Sequence, residues 1–337
     1  MSKPKYGVVA IGNALVDVLS SVTDDFLQEQ CAQHGIEKGT MALIEPDRAV
    51  ELYALLKDCT ETSGGSAANT MAGFASLGGR GGFIGKVADD ELGATFQNDL
   101  RSLGIEFTTQ PLAIGAPTGR CMVMITPDAQ RTMNTLLGAS VEINDLDVDE
   151  ALITNAQVTY LEGYLFDKDT AKHAFIKAAE AAHRAGHRIA LSLSDPFCVD
   201  RHRSDFLRLV ESHVDILFAN EDEIKSLYMR ADIEDAVNAV SQHVEIAAIT
   251  RSEKGALIRN RTEAIAVPAA PVDAVIDTTG AGDQFAAGFL YGFTEGLPLE
   301  TCGQLGTLAA AEVISHIGPR PQVNLKDLAI SKGLITS

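Results

Sequence analysis

Residues 276–292 read IDTTGAGDQFAAGFLYG. Two glycines and an alanine, Gly280, Ala281 and Gly282, run into a carboxylate, Asp283, and then into small and apolar residues that read as a helix. The first four N–H groups of a helix have no helical acceptor. With no side chains in the way, those groups are open to an anion, and the helix dipole favours negative charge there. An acidic residue in a first turn has the same dipole explanation, so Asp283 alone says little. The bare turn before it asks for an anion. At such a helix start the Asp283 carboxyl is expected to keep a low pKa.

Outward from this stretch the chain alternates strand and helix. Short apolar runs without polar alternation recur at 6–11, 157–161, 188–193, 214–218 and 246–249, as buried parallel strands do. Between them lie helical patterns. In DTAKHAFIKAAEAAHRAG, 169–186, Ala171, Ala174, Phe175, Ala178, Ala181 and Ala182 fall at helical spacing and Gly186 supplies a stop. The pattern predicts an α/β fold: an open, mostly parallel sheet with helices on both faces. Two segments break the alternation. Residues 16–45, and GRCMVMITPDAQRTMNTLLG at 119–138 with a hairpin turn over Pro127, Asp128, Ala129 and Gln130, read as strands of a small accessory sheet. A single domain over 1–337 is expected, its lid formed by insertions at about 16–45 and 111–140.

Composition narrows the function. Hydrophobic residues make up 46% and charged residues 22% of 337, as in an ordinary globular protein. A formal charge of −19 argues against nucleic acid or an anionic membrane as partner. It also means that any anionic ligand needs local positive groups. Cys31, Cys59, Cys121, Cys198 and Cys302 are odd in number and form neither Cys-x-x-Cys pairs nor zinc spacings, which suits a reducing cytoplasm. Lys3 and Lys5 precede an apolar run, but Gly12, Asn13 and Asp17 interrupt it, so neither signal peptide nor membrane span is expected.

Familiar phosphate motifs fail. GGRGGFIGKV has Arg80 where a Walker loop has its first glycine and Val87 where it has Ser or Thr. The Gly-Ala-Gly turn does not complete a dinucleotide fingerprint, because the sixth position is Phe285. Hydride transfer on a doubly wound sheet is thereby unsupported. In open parallel sheets the ligand lies beyond the carboxyl ends of the strands. Gly12-Asn13, Glu162-Gly163, Ser194-Asp195, Asn220-Glu221 and Thr250-Arg251 stand there, so polar groups converge on one rim.

A second small-residue stretch, TSGGSAANTMAGFASLGG at 62–79, has Gly64 and Gly65 opening a helix and Asn69 one turn in. Together, Gly-Gly-x-x-x-Asn and Asp-Thr-Thr-Gly-Ala-Gly-Asp resemble the two signatures of the ribokinase-like (PfkB) carbohydrate kinases, and the order of elements is similar from end to end. The resemblance implies that Asp283 is the catalytic base. It implies also that the backbone N–H groups of Ala281, Gly282 and Asp283, after Gly280, form an anion hole for the transferred phosphoryl. Phosphoryl transfer asks mainly for positioning and charge stabilisation, so bare amides at a helix start suit it. A regulator of the same fold without catalysis would be expected to lose Asp283 or the anion hole, and both are present.

Further roles follow from the resemblance alone. Asn220 and Glu223 match the Asn-x-x-Glu box that orders Mg²⁺, Glu223 acting through water. Arg131 matches a lid arginine that reaches the transferring phosphate. ATP is expected over Thr250 and Gly255 and near Gly318, and Asp277 stands where many relatives bind a monovalent cation, which makes K⁺ a further candidate. Asn13 and Asp17 lie four apart, as in adenosine kinases, rather than two apart as in ribokinase-type enzymes. Asp17 and Asn69, with Gly64 and Gly65, are then expected to hold ribose hydroxyls. Leu15, Cys121, Leu136 and either Tyr164 or Leu165 are placed to sandwich a base. The expected reaction is phosphorylation of the adenosine 5′-hydroxyl by ATP with Mg²⁺, in a cytoplasmic monomer or homodimer. DTTGAGDQF departs toward the sugar-kinase form, with Gln284 in place of the usual Ala or Ser. Kinases of ribose, fructose, a ketodeoxy sugar acid, guanosine or inosine are the alternatives.

Overall fold

The structure, a computed structural model, describes residues 4–128 and 130–336. Lys3, and Ala129 of the expected hairpin turn, lie outside the described residues. Strands are numbered along the chain. The large sheet contains β1 (Tyr6–Ile11), β5 (Gly81–Ile84), β6 (Glu106–Phe107), β9 (Ala156–Glu162), β10 (Arg188–Ser192), β11 (Ile216–Asn220), β12 (Ile246–Thr250), β13 (Ala256–Asn260) and β14 (Ala264–Val267). Its order is β14-β13-β12-β11-β10-β9-β1-β5-β6. All neighbours from β6 to β12 are parallel, and β13 and β14 join antiparallel at one edge.

Parallel strands covered on both faces have no face to spare for water. Along β1, Val9 and Ile11 join one core with helices Asp169–Arg184 and Pro196–His213, while Val8 and Ala10 join the other with helices Ser66–Ser76 and Ala281–Thr294. Among the described residues no helix is long and apolar enough to cross a membrane.

A second sheet of order β3-β8-β7-β2-β4 is built from β2 (Leu15–Ser21), β3 (Met41–Leu43), β4 (Thr60–Gly64), β7 (Gly119–Ile125) and β8 (Arg131–Leu136). Here the structure corrects two expectations. The 16–45 segment is not all strand: helix Asp24–His34 interrupts it, opened by Thr23 Oγ1 accepting from the Phe26 N–H at 3.2 Å and closed by Gly35 at φ 65°. The sheet also takes a strand from outside the expected segments, β4, which pairs antiparallel with β2 so that Leu15 faces Gly64 and Asp17 faces Thr62. This pairing carries the end of β4 directly into the helix at Ser66.

Candidate active site

One cleft of about 1370 Å³ runs between the carboxyl ends of the large sheet and the face of the second sheet. It gathers Asn13, Leu15, Asp17, Gly65, Asn69, Cys121, Asn220, Glu223, Thr250, Gly255, Gly280, Ala281, Gly282 and Asp283, which the sequence scatters over 271 positions (283 less 13, both ends counted). Gly64, Arg131, Leu136, Asp277 and Gly318 do not line it.

The centre is built by two helix starts meeting. Asp283, in the first turn of Ala281–Thr294, accepts from Ser66 Oγ at 2.6 Å and from Asn69 Nδ2 at 3.4 Å, both on helix Ser66–Ser76. The expected low pKa is corrected. Burial pushes the Asp283 carboxyl up to about 6, and the hydrogen bonds from Ser66 and Asn69 offset this only in part. The anion hole is narrower than expected, because the Ala281 N–H donates to Thr278 O at 3.2 Å. Among the described residues the Gly282 and Asp283 N–H groups have no backbone acceptor, and a Cβ built on Gly282 meets no atom within 4 Å. The two amides and the open space beside them fit a phosphoryl group of ATP.

Asp17 projects from β2 into the same cleft. Burial pushes its carboxyl up to about 6, Arg320 and Arg131 pull it down, and Asp283 pushes it up. Gly64 serves Asp17 from behind: a Cβ there would lie 2.3 Å from Asp17 Oδ1. Glu162, at the end of β9, is 1% exposed. It accepts from Asn13 Nδ2 at 2.7 Å and from the Ala67 N–H at 2.8 Å, and burial raises its carboxyl to about 7. Asn13 Oδ1 in turn accepts from Ser140 Oγ at 2.9 Å. Glu162 thus locks β1 to the first turn of Ser66–Ser76. Its place at a strand end was the signal for it, with no motif around it.

Alternation along β8 redistributes the apolar wall. Met133 and Thr135 face the cleft, as does Leu137 just beyond, whereas Leu136 packs into the core. Leu165 is fully buried in the opposite core, while Tyr164 lines the cleft. Phe197, 77% exposed at the rim, carried no sequence signal.

Arg131 and Asp277 meet each other instead of the cleft, Nη2 to Oδ2 at 3.1 Å. Asp277 also accepts from the Thr279 N–H at 3.0 Å, Thr279 Oγ1 at 2.7 Å and the Gly318 N–H at 3.0 Å. Burial works to raise this carboxyl, but the Gly318 and Thr279 bonds and Arg131 hold it below its ordinary value. Both oxygens of the expected cation ligand are therefore engaged by protein donors, and a guanidinium supplies the positive charge beside them.

Asn220 and Glu223 form a reciprocal cap at the start of helix Glu221–Tyr228. Glu223 N–H donates to Asn220 Oδ1 at 2.8 Å, and Asn220 N–H and Nδ2 donate to the Glu223 carboxylate at 2.9 and 2.7 Å. Burial raises Glu223 to about 7. Among the described residues no group of three or more His, Cys, Asp or Glu could cage a metal ion. Mg²⁺ keeps several waters and rides on substrate phosphates, so a single carboxylate at the rim is compatible with it.

The raised Asp283 carboxyl makes a pH prediction. A general base works ionised, so kcat/KM should be half its maximum near pH 6, reach its full value about a unit above and fall below it. Asp283 in turn helps to raise the neighbouring Asp17 carboxyl, so both groups titrate in the same range and the limb carries both. A pH–rate profile that stays flat to pH 5 would overturn this assignment.

The pfkB family carbohydrate kinase profile matches residues 12–325. The structure superposes on a probable sugar kinase protein from Rhizobium etli CFN 42 with TM-score 0.90 and 46% identity, covering 98% of this chain and 100% of that one. An adenosine kinase from Sinorhizobium meliloti matches with TM-score 0.88 and 48% identity, over 97% and 99% of the two chains. In sequence, an adenosine kinase of Saccharomyces cerevisiae is 27% identical over 334 residues, 93% of this chain and 96% of that one.

Proposed function

Because the chain belongs to the pfkB family of carbohydrate kinases, we propose that the hydroxyl it phosphorylates is the 5′-hydroxyl of adenosine, giving AMP. The observation that carries this is the union of Asp17 with an apolar wall, Leu15, Cys121, Met133 and Leu137, in one cleft. A carboxylate accepts from two vicinal hydroxyls of a ribose, and apolar walls suit a purine better than a bare sugar. The 48% identical adenosine kinase supports the same acceptor. The second reading, a sugar kinase, draws on the 46% identical probable sugar kinase and on the DTTGAGDQF form of the phosphate turn.

Kinases of this family use ATP and Mg²⁺, which together supply the phosphoryl group and neutralise part of its charge. In this chain Asp283 takes the proton of the attacking hydroxyl, with Ser66 and Asn69 holding its carboxylate in place. The N–H groups of Gly282 and Asp283 stabilise charge on the transferring group. Asp17, with Gly64 leaving it room, orients the ribose. The second sheet acts as a lid: Met41, Leu43 and Met133 line the cleft from it, and Arg131 exchanges Asp277 for phosphate.

The test is a panel of acceptors with the wild-type protein. Burying about 100 Å² of apolar base is worth about 2.5 kcal/mol before ordering costs, so adenosine should exceed ribose and fructose in kcat/KM by tens-fold or more. 2′-Deoxyadenosine should be at least about tenfold poorer than adenosine, since it leaves a buried acceptor unpaired. Asp17→Ala should raise the adenosine KM steeply. Ribose or fructose outrunning adenosine would replace this reading with the sugar-kinase one.

A further inference from the structure

Arg320 lies in the loop that follows Gly318, and one of its three donating nitrogens reaches Asn69 at the cleft. Nε donates to Asn69 Oδ1 at 3.2 Å, Nη1 to Asp99 Oδ2 at 2.8 Å and Nη2 to Ser63 Oγ at 2.5 Å. We propose that Arg320 is a positioning residue for phosphoryl transfer, which fixes the orientation of the Asn69 amide and through it the carboxylate of Asp283.

The reasoning is donor and acceptor chemistry. A guanidinium only donates, so the Asn69 atom that faces it is the carbonyl oxygen. The amide nitrogen is then turned to Asp283, where it lies 3.4 Å from Oδ2. Without Arg320 only the long 3.4 Å contact with Asp283 itself holds this choice. The amide can flip and present an oxygen to the Asp283 carboxylate, which repels it. Neighbouring contacts keep the arginine and the asparagine in register. Gln284 Nε2 donates at 2.9 Å both to Asn69 O and to Pro319 O, tying the backbones of 69 and 319 to the catalytic helix. Ser63 and Asp99 hold the far side of the guanidinium.

The charges facing Arg320 divide its influence. Asp99 pairs with it directly, at 2.8 Å. Asp17, raised by burial, is pulled part of the way back by Arg320 and Arg131 and pushed up again by Asp283. A merely structural arginine would exist to neutralise Asp99. A positioning arginine matters to Asn69 whether or not Asp99 is charged. These two roles give opposite results in one set of variants.

The inference rests on the role proposed for Asp283. Steady-state kinetics and pH profiles of Arg320→Gln, Arg320→Lys, Asp99→Asn and the double variant Arg320→Gln/Asp99→Asn test it, on whichever acceptor of the panel turns over best. Arg320→Gln should lower kcat by about ten- to a hundredfold, part of the full worth of a general base. Its KM for ATP should stay within about twofold, as for a group that acts on the transition state alone. The acid limb should move to higher pH. Arg320→Lys keeps the charge and loses the planar fork, so it should restore the limb while recovering only part of kcat. Asp99→Asn keeps an acceptor oxygen for Nη1, so it should cost far less than Arg320→Gln, and the double variant should remain as slow as Arg320→Gln. A double variant with wild-type kcat would overturn the proposal, and so would Arg320→Gln with wild-type kcat and an unmoved limb. If Arg320→Gln fails to fold, the double variant, which leaves no carboxylate unpaired, decides the matter. A poor adenosine rate sinks the acceptor proposed above and leaves this comparison intact.

Discussion

Asp283→Asn is expected to lower kcat by about 10²–10⁴, the ordinary worth of a general base, while acceptor binding survives. The substitution is nearly isosteric, and its surroundings can absorb it. Asn69 Nδ2 can donate to the new carbonyl oxygen, and Ser66 Oγ, which now donates to Asp283 at 2.6 Å, can rotate to accept from the new amide. Fold and cleft shape are thus retained, and what disappears is a proton acceptor. Turnover by a coupled assay, with acceptor affinity by calorimetry, separates the two effects. A variant that keeps more than about a tenth of wild-type turnover would remove Asp283 from the role of base.

Gly282→Val should reduce kcat/KM for ATP by about 10²–10³, the scale of losing one preorganised donor to a developing anion. A Cβ at this position meets nothing within 4 Å, so the folded protein accepts the side chain. The isopropyl group then stands over the Gly282 and Asp283 N–H groups. Gly280, two residues earlier, behaves differently: its φ is 80° and a Cβ would lie 2.7 Å from Pro319, so a side chain there strains the fold itself. A Gly282→Val protein that melts like wild type but has lost ATP turnover marks the turn as a phosphate site. Unchanged kinetics would strip the turn of that role.

Much of this was visible in the residues. The central strands announce themselves because burial on both faces demands unbroken apolar runs, and each observed strand overlaps its run. β4, TETSG, has no such run; it is a strand because β2 offers it a partner. Helix Asp24–His34 buries only Leu27 and Gln30, so its apolar stripe is too thin to read, although Thr23 and Gly35 mark its ends. Leu136 and Leu137 are adjacent apolar residues, and only the register of β8 decides which one faces the cleft. The pKa of Asp283 depends on how tightly two helices bury it, a tertiary quantity. Arg320 acts on Asn69 from 251 positions away, and nothing local to either residue tells of the other.

Gln284, the residue that departs from the usual small side chain after Asp283, is coupled to Gly73. Its amide lies across the neighbouring helix so closely that a Cβ on Gly73 would sit 1.9 Å from Gln284 Oε1, the next contact being Ala287 Cβ at 2.9 Å. Any side chain at position 73 therefore displaces the Gln284 amide, and with it the bonds that amide makes to Asn69 O and Pro319 O. Once 284 becomes small, 73 needs only a slight shift to admit alanine. With alanine at 73, a glutamine at 284 has to turn its amide aside, away from Asn69 O and Pro319 O. The two positions are thus coupled: a change at one alters what the other can carry without losing the bonds to Asn69 and Pro319.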